Sequence, residues 1–396
     1  MRISTSAIYD ANVNMLNQQQ AKLLHTQQQL ASGRRMLTPA DDPIASARAL
    51  EITQSDATNT QYATNRNAAK YSVSLSENIL QSVTSLLQDV KTTAVQAGGG
   101  ALTPSDKQTL ASVLSGRLEE LTSLANSTDG MGNFLFSGYQ GRTQPFANSS
   151  SGVQYMADDG QRMVQVSGSR QLAASDSGSE IFMRIKNGNG TFVTQPASGN
   201  TGSGIASQGI VTNPALLTGN SYQVNFTSAT TYDVINTTTS GAVSTGNTYT
   251  SGQAISFDGM QFDVSGATAS GDTFTLAPST NESIFKTISD LVTTLGTTSA
   301  TPAIFSNNMS KALNMLDRGL DNVLTVQSSL GSRLMELDAL QTTGEDIGLS
   351  YKTTLSQLQD VDYNKGISDL NQQQLSLTAA QKSFKQISDL SLFNYL

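Results

Sequence analysis

The chain of 396 residues has no cysteine and one histidine, His25. That excludes disulfides, thiolate metal sites and cysteine nucleophiles, and leaves any metal chemistry to carboxylates alone. Charge is also scarce. Asp, Glu, Lys and Arg make up 14% of the residues, well under the roughly 25% of ordinary soluble domains, so uncharged polar side chains must form most of the surface. The net charge is -8 and no cluster of Lys and Arg interrupts it, which argues against nucleic acid as a partner. No run of about 18 apolar residues occurs, so membrane insertion is not expected. The opening MRISTSAIYDANVN lacks the apolar core of a secretory signal, and reads as a cytoplasmic chain or one exported by an unusual route. Zero cysteine fits life outside the reducing cytosol. No acid, base and nucleophile stand at a catalytic spacing, and Asn187 to Gly190 and Gly202-Ser203-Gly204 lack the helix and lysine of a phosphate loop. An enzyme is therefore not expected, and no catalytic, cofactor or metal residue is assigned.

What the chain does have is a heptad pattern at both ends. Leu16, Leu23 and Leu30 are spaced by seven, with Val13, Gln20 and Gln27 three residues before each; near the other end Leu370, Leu377 and Phe384 follow Ile367, Gln374 and Gln381 in the same way. Such matching seams are how two coiled-coil strands made for each other look, so the ends of the chain are expected to meet. Glutamine at a seam position weakens a pair while setting its register. An ordinary coiled coil within one chain, with no partner, fits the pattern as well.

Between the ends the signals are local. A first helix over 9–31 is expected to stop at Gly33. Thr38 to Pro43 reads as a turn, with Asp42 capping the next helix and Pro43 at its first position; Asp41 and Asp42 are thus capping residues rather than an acid pair. Arg34 and Arg35 read as charges at a helix C-terminus, and His25 as a solvated or inter-subunit residue on the outer side of the heptad. From Ile44 to about Ala97 there is neither Pro nor Gly, which predicts one helix of roughly 80 Å. Gly98-Gly99-Gly100 ends it, and Thr103-Pro104-Ser105-Asp106 opens another. Asn133 to Phe146 reads as a β-hairpin whose Phe134, Phe136 and Tyr139 pack in a core. Short alternating strands with turn signals then fill 147–280. Helices resume at Ser283, a seam from Met309 to Leu337 predicts a second long helix over 307 to about 340, and Gly344 and Gly348 are expected to loosen it. The expected class is α+β and multidomain. A terminal coiled-coil domain comes from 1–40 and 355–396, a long-helix rod domain with a hairpin from 41–146 and 281–354, and an all-β inserted outer domain, sandwich or barrel, from 147–280.

Certain stretches carry more than local structure. Met1-Arg2-Ile3-Ser4-Thr5 is followed by Leu30-Ala31-Ser32-Gly33-Arg34-Arg35 and Pro39-Ala40-Asp41-Asp42-Pro43. Phe134-Leu135-Phe136-Ser137-Gly138-Tyr139 comes with Pro145-Phe146, the block from Gly259 ends Ala269-Ser270-Gly271-Asp272-Thr273-Phe274, and the chain closes Leu390-Ser391-Leu392-Phe393-Asn394-Tyr395-Leu396. In this order and at these distances they resemble the flagellin superfamily, and the proline after the paired aspartates resembles its hook-associated junction branch. The resemblance covers both ends and part of the middle. It implies an extracellular structural subunit that leaves through the flagellar type III export apparatus without a cleaved signal, with an export chaperone on its C-terminal segment. It implies a ring of self copies between hook-associated protein 1 and flagellin, paired terminal helices lining the inner tube, the β domain outward, and ends that order only on assembly. Asp41, Asp42, Pro43, Phe136, Ser137, Gly138, Leu392, Phe393 and Leu396 are its motif residues. Two other readings stand beside it: a filament-forming flagellin, and a secreted adhesin binding glycans through Tyr155, Tyr222 or Tyr232.

Overall fold

The computed structural model describes residues 5–99, 102–297 and 301–389; Met1 to Ser4 and the motif residues Leu392, Phe393 and Leu396 lie outside them. Helices α1 (Thr5–Ser32), α2 (Pro43–Gly98) and α3 (Pro104–Ala125) come first, a run of short strands follows, and α4 (Ile284–Gly296), α5 (Pro302–Gln359) and α6 (Tyr363–Asp389) complete the chain. The chain divides into two compact units, a terminal one from Met1–Thr64 with Ala339–Leu396 and a central one from Asn65–Asp338. The division runs through α2 and α5, so the terminal unit is wider than the expected 1–40 with 355–396.

In the terminal unit, Asp42 Oδ1 accepts from Ala45 N at 3.0 Å and Pro43 opens α2, the cap expected from their order. Rings of Tyr9 and Phe384 lie 5.2 Å apart and Leu30 meets Gly366, so α1 and α6 run antiparallel. The first part of α2 meets the last part of α5, where Asn59 Nδ2 donates to Gly344 O at 2.8 Å. Gly344 and Gly348 therefore stay inside α5 rather than loosening it: they are where another helix approaches closely.

The central unit holds two cores. The helical one gathers Leu80 and Leu87 from α2, Leu114 and Leu121 from α3, Ile288 and Leu291 from α4, and Met315 and Leu316 from α5. Thr103 and Asp106 form a reciprocal capping box at the start of α3. The hairpin expected over 133–146 is absent. That stretch is a series of turns, and the first hairpin pairs Phe146–Ser149 with Gly152–Tyr155. The cause is tertiary. Phe146 meets Phe182 edge-on at 5.4 Å and Phe285 in a tilted contact at 5.0 Å, Phe136 meets Phe182 edge-on at 5.7 Å, and these rings sit in the helical core. Residues 146–186 thus feed the helices, and the separate sheet core starts only at Phe192. Its larger sheet is antiparallel, ordered Gly241–Thr248, Thr231–Asn236, Tyr222–Ser228, Thr273–Pro278 and Phe192–Pro196. Val224, Phe226, Phe274 and Leu276 from it bury against Ile255, Met260, Phe262 and Val264 of a smaller sheet. Both sheets are open, which selects the sandwich over the barrel.

Candidate assembly surface

On α1 the less exposed positions include Val13, Leu16, Gln19, Leu23, Thr26 and Leu30; on α6 they include Gly366, Leu370, Gln373, Leu377, Ala380 and Phe384. The large apolar seam residues thus face one another, half-buried. Ile367, Gln20, Gln27, Gln374 and Gln381 are exposed, so the polar layers of the contact fall one residue earlier than the heptads suggest. Gly366 explains the shift. A Cβ there would stand 2.8 Å from Leu30 Cδ2, so the helices close on that side and Ile367 turns outward.

The same unit leaves much apolar surface uncovered. Ile44 is 83% exposed, Leu375 72%, Leu50 71% and Leu349 66%, with Tyr9, Met15, Leu24 and Tyr363 also open. Among its described residues only Ala45 and Ala49 are fully buried apolar side chains. These open side chains make the terminal unit the candidate interaction surface.

The two links between the helices of this unit are stapled together. Arg35 N donates to Gln359 O at 2.6 Å and Val361 N to Gly33 O at 3.0 Å, an antiparallel bridge around Arg34 and Asp360. The Arg35 guanidinium donates to Leu358 O at 2.9 Å, so it serves the C-terminus of α5 rather than that of α1. Asp41 accepts from Leu37 N and Thr38 N, both at 2.8 Å, and lies 3.2 Å from His25 Nε2. The Thr38 and Leu37 amides, and then His25, hold its carboxyl below the ordinary 3.8. Asp362 Oδ1 accepts from Asn364 N at 3.0 Å and caps α6. The bridge and this cap were not read from the sequence; the Asp360-Val361-Asp362 break between two periodic runs was the available signal.

In the central unit Phe136 and Ser137 are buried, and the Ser137 hydroxyl donates to Phe134 O at 3.1 Å. Gly138, at φ 65°, would place a Cβ 2.3 Å from Asp158 Oδ1. That carboxylate accepts from Tyr139 N, Gln140 N and Gly160 N at 2.9, 3.0 and 2.8 Å. The motif loop is thus closed by a residue that sequence reasoning passed over. Phe134 is half-buried, while Tyr139 is 71% exposed rather than part of the core. Of the tyrosines in the glycan reading, Tyr222 is fully buried, while Tyr155, whose hydroxyl donates to Asp158 O at 2.6 Å, and Tyr232, which packs on Phe226, are half-buried. A cleft of about 810 Å³ lined by Asn148, Gln195, Asn281, Glu282, Lys286 and Lys311 holds the 3.7 Å Lys311–Glu282 pair. Among the described residues no group of His, Asp and Glu could hold a metal ion, and no helix is long and apolar enough to cross a membrane.

Comparison with known proteins falls on these elements. The bacterial flagellin N-terminal helical region matches residues 3–141, from α1 through the stapled link to the Phe136 loop. The chain is 28% identical over 397 residues to flagellar hook-associated protein 3 of Salmonella typhimurium, covering 99% of each. The crystal structure of flagellar hook-associated protein 3 from Legionella pneumophila is 33% identical with a TM-score of 0.74, covering 78% of this chain and 98% of that one. The flagellar junction protein FlgL of the same organism is 31% identical with a TM-score of 0.71, covering 79% and 100%. At that identity and coverage, the chain belongs to the flagellar hook-associated protein 3 family.

Proposed function

We propose that this chain is a structural subunit of the bacterial flagellum that joins hook to filament, in a ring of its own copies between hook-associated protein 1 and flagellin. Its similarity to the flagellar junction protein FlgL of Legionella pneumophila supports the reading. The observation that carries it is the unfinished terminal unit. Fixing a helix costs about 1–2 kcal/mol per residue in backbone entropy. Over the 28 residues of α1 and 27 of α6, a row of half-buried leucines is the chief apolar burial set against that cost. Each exposed Leu or Ile that a neighbour covers contributes about 1.5–3 kcal/mol, so covering Leu24, Ile44, Leu50, Leu349 and Leu375 in an assembly favours the ordered ends. Val13, Leu16, Leu23, Leu30, Leu370, Leu377 and Phe384 hold the pair, while Ile367, Gln20, Gln27, Gln374 and Gln381 face neighbouring copies. A chain whose ends order on assembly also suits passage through the flagellar export apparatus with a chaperone on its C-terminal segment. Its work is mechanical rather than catalytic.

Replacing Leu377 or Leu23 with Asp is expected to leave the central unit folded while abolishing incorporation at the hook tip, read by microscopy and motility. Variants that still assemble and swim would overturn the seam. Long filaments grown from the purified chain alone would assign it to filament-forming flagellins instead.

A further inference from the structure

The cleft of about 810 Å³ in the central unit opens where the Phe146–Ser149 and Gly152–Tyr155 hairpin, the start of α4 and Lys311 of α5 meet the strand pair of Ile185–Lys186 with Asn281–Glu282. Glu282 is fixed there from both sides. Its backbone pairs opposite Ile185, and the next residue, Ser283, caps α4 by accepting from Lys286 N at 3.0 Å. The Glu282 side chain is only 9% exposed, yet no donor among the described residues holds it closely. Lys311 Nζ stands 3.7 Å from Oε1, and Asn187 Nδ2 reaches Oε2 at 3.4 Å while donating to Thr280 Oγ1 at 3.1 Å. A carboxylate taken from water ordinarily gains charge-assisted bonds of about 2.7–2.9 Å. Glu282 and Lys311, which both line the cleft, therefore keep hydrogen-bonding capacity for something that enters it.

The rest of the lining narrows the choice. Glu282 and Asp290 are balanced by Lys286 and Lys311, and Lys286 Nζ donates to Asp290 Oδ2 at 2.6 Å, so the cleft favours neither an anion nor a cation. The exposed amides of Asn148, Gln154 and Asn281 offer donors and acceptors together. Half-buried Leu118, Val153 and Met183 add apolar wall. A charge-balanced, amide-rich cleft with a partly apolar wall, within the roughly 300–1,000 Å³ of small-molecule sites, matches a sugar, which carries hydroxyls on its rim and C–H groups on its faces.

We propose that this cleft binds a short neutral oligosaccharide, with one hydroxyl donating to Glu282 Oε1 and its neighbour accepting from Lys311 Nζ. The site goes beyond the junction reading and does not depend on it.

The test uses the full-length chain and four probes: maltotriose, cellotriose, chitotriose and calcium alone. At least one trisaccharide is expected to bind in calorimetric titration and to slow hydrogen exchange of peptides covering 148–154 and 280–290, leaving those around Tyr222 to Phe226 unchanged. Glu282→Gln and Lys311→Met are each expected to weaken that binding about tenfold or more, the worth of a hydrogen bond to a charged group. Glu51→Gln, which removes an exposed carboxylate of α2 outside the cleft, is expected to leave it unchanged. Should the cleft variants fail to fold, the exchange pattern of the unaltered chain decides. Binding by none of the three sugars, which would leave Glu282 to water alone, overturns the proposal. So does sugar binding that protects neither peptide or that is equally strong in folded Glu282→Gln, and so does protection of the same peptides by calcium and not by sugar.

Discussion

Helix α2 belongs to both units and is buried in two different ways. In the central unit it presents Val73, Leu80, Val83, Leu87, Val90 and Ala94 to a core, each almost fully covered. In the terminal unit the buried positions are only Ala45 and Ala49, while Ile44 and Leu50 point to solvent. Small residues permit close helix approach but bury little area, and the energy of burial scales with area. One half of the helix is therefore held by its own chain, and the other half leaves its large apolar side chains open. The same contrast separates the Met309 to Leu330 part of α5, where Met315, Leu316 and Val323 are buried, from its last turns, where Ile347 and Leu349 are open.

The comparison breaks most easily where the largest effect is expected. Phe146→Ala removes a fully buried ring that meets Tyr155, Phe182 and Phe285, and should cost about 3–5 kcal/mol in denaturant unfolding of the central unit. Leu23→Ala, in the half-buried seam of the terminal unit, should cost less on the same measurement, about 2 kcal/mol, because part of its surface already meets water. Equal costs would show that the terminal unit has a core of its own. Next comes the pair between Arg333 and Asp176, whose side chains are 17% and 10% exposed and meet bidentately at 2.8 Å. Arg333→Met leaves the Asp176 carboxylate buried with only Gln161 Nε2 at 3.0 Å among its side-chain donors, and should cost about 3 kcal/mol. Arg35→Ala, at an exposed staple of the terminal unit, should cost no more than about 1 kcal/mol, read as faster exchange of the Val361 amide.

Which elements were legible in the sequence follows from the range of the forces that set them. The starts of α2 and α3 rest on Asp42 with Pro43 and on Thr103 with Asp106, signals confined to a few residues, and both stand where their chemistry puts them. The 133–146 stretch looked like a hairpin because aromatic residues flank glycines. Its rings are instead claimed by Phe182 and Phe285 and its turn by Asp158, partners that no local window contains. Residues 147–186 alternate like strands of the β domain but bury against helices, so the sheet core starts later than the composition shift. In the terminal seam the leucines were identifiable by their spacing of seven, yet which of several adjacent glutamines faces inward depends on the contact of Leu30 with Gly366. Tyr222, read as a candidate glycan contact, is likewise set by distant partners: it is fully buried, its hydroxyl donating to Asp258 Oδ2 at 2.6 Å.

The smallest expected effect is confined to acid, and it compares one carboxylate in each unit. Asp41 holds the Leu37 and Thr38 amides, and Asp158 holds those of Tyr139, Gly160 and Gln140; both carboxyls lie below the ordinary 3.8, Asp158 chiefly through the Tyr139 amide. For a carboxyl depressed in the folded chain, the stability it contributes is present above the unfolded value and is lost as pH falls through the folded one. Neither loop should change between pH 7 and 5, and both should loosen only below 3.8. Amide chemical shifts of Thr38 and Tyr139 followed by NMR should then each titrate with a midpoint under 3.8, and Asp41→Asn should remove the first transition without touching the second. The units differ in what happens next. Loss of the Asp158 bonds leaves Phe136 anchored by Phe182, so the central loop should stay in place. Loss of the Asp41 bonds leaves the turn between α1 and α2 with little else beyond Arg35, so the Leu37 amide should move much farther than that of Gln140. A midpoint at or above 3.8, or equal displacement of the two loops, would mean that the terminal links are held as firmly as the core that the central unit builds for itself.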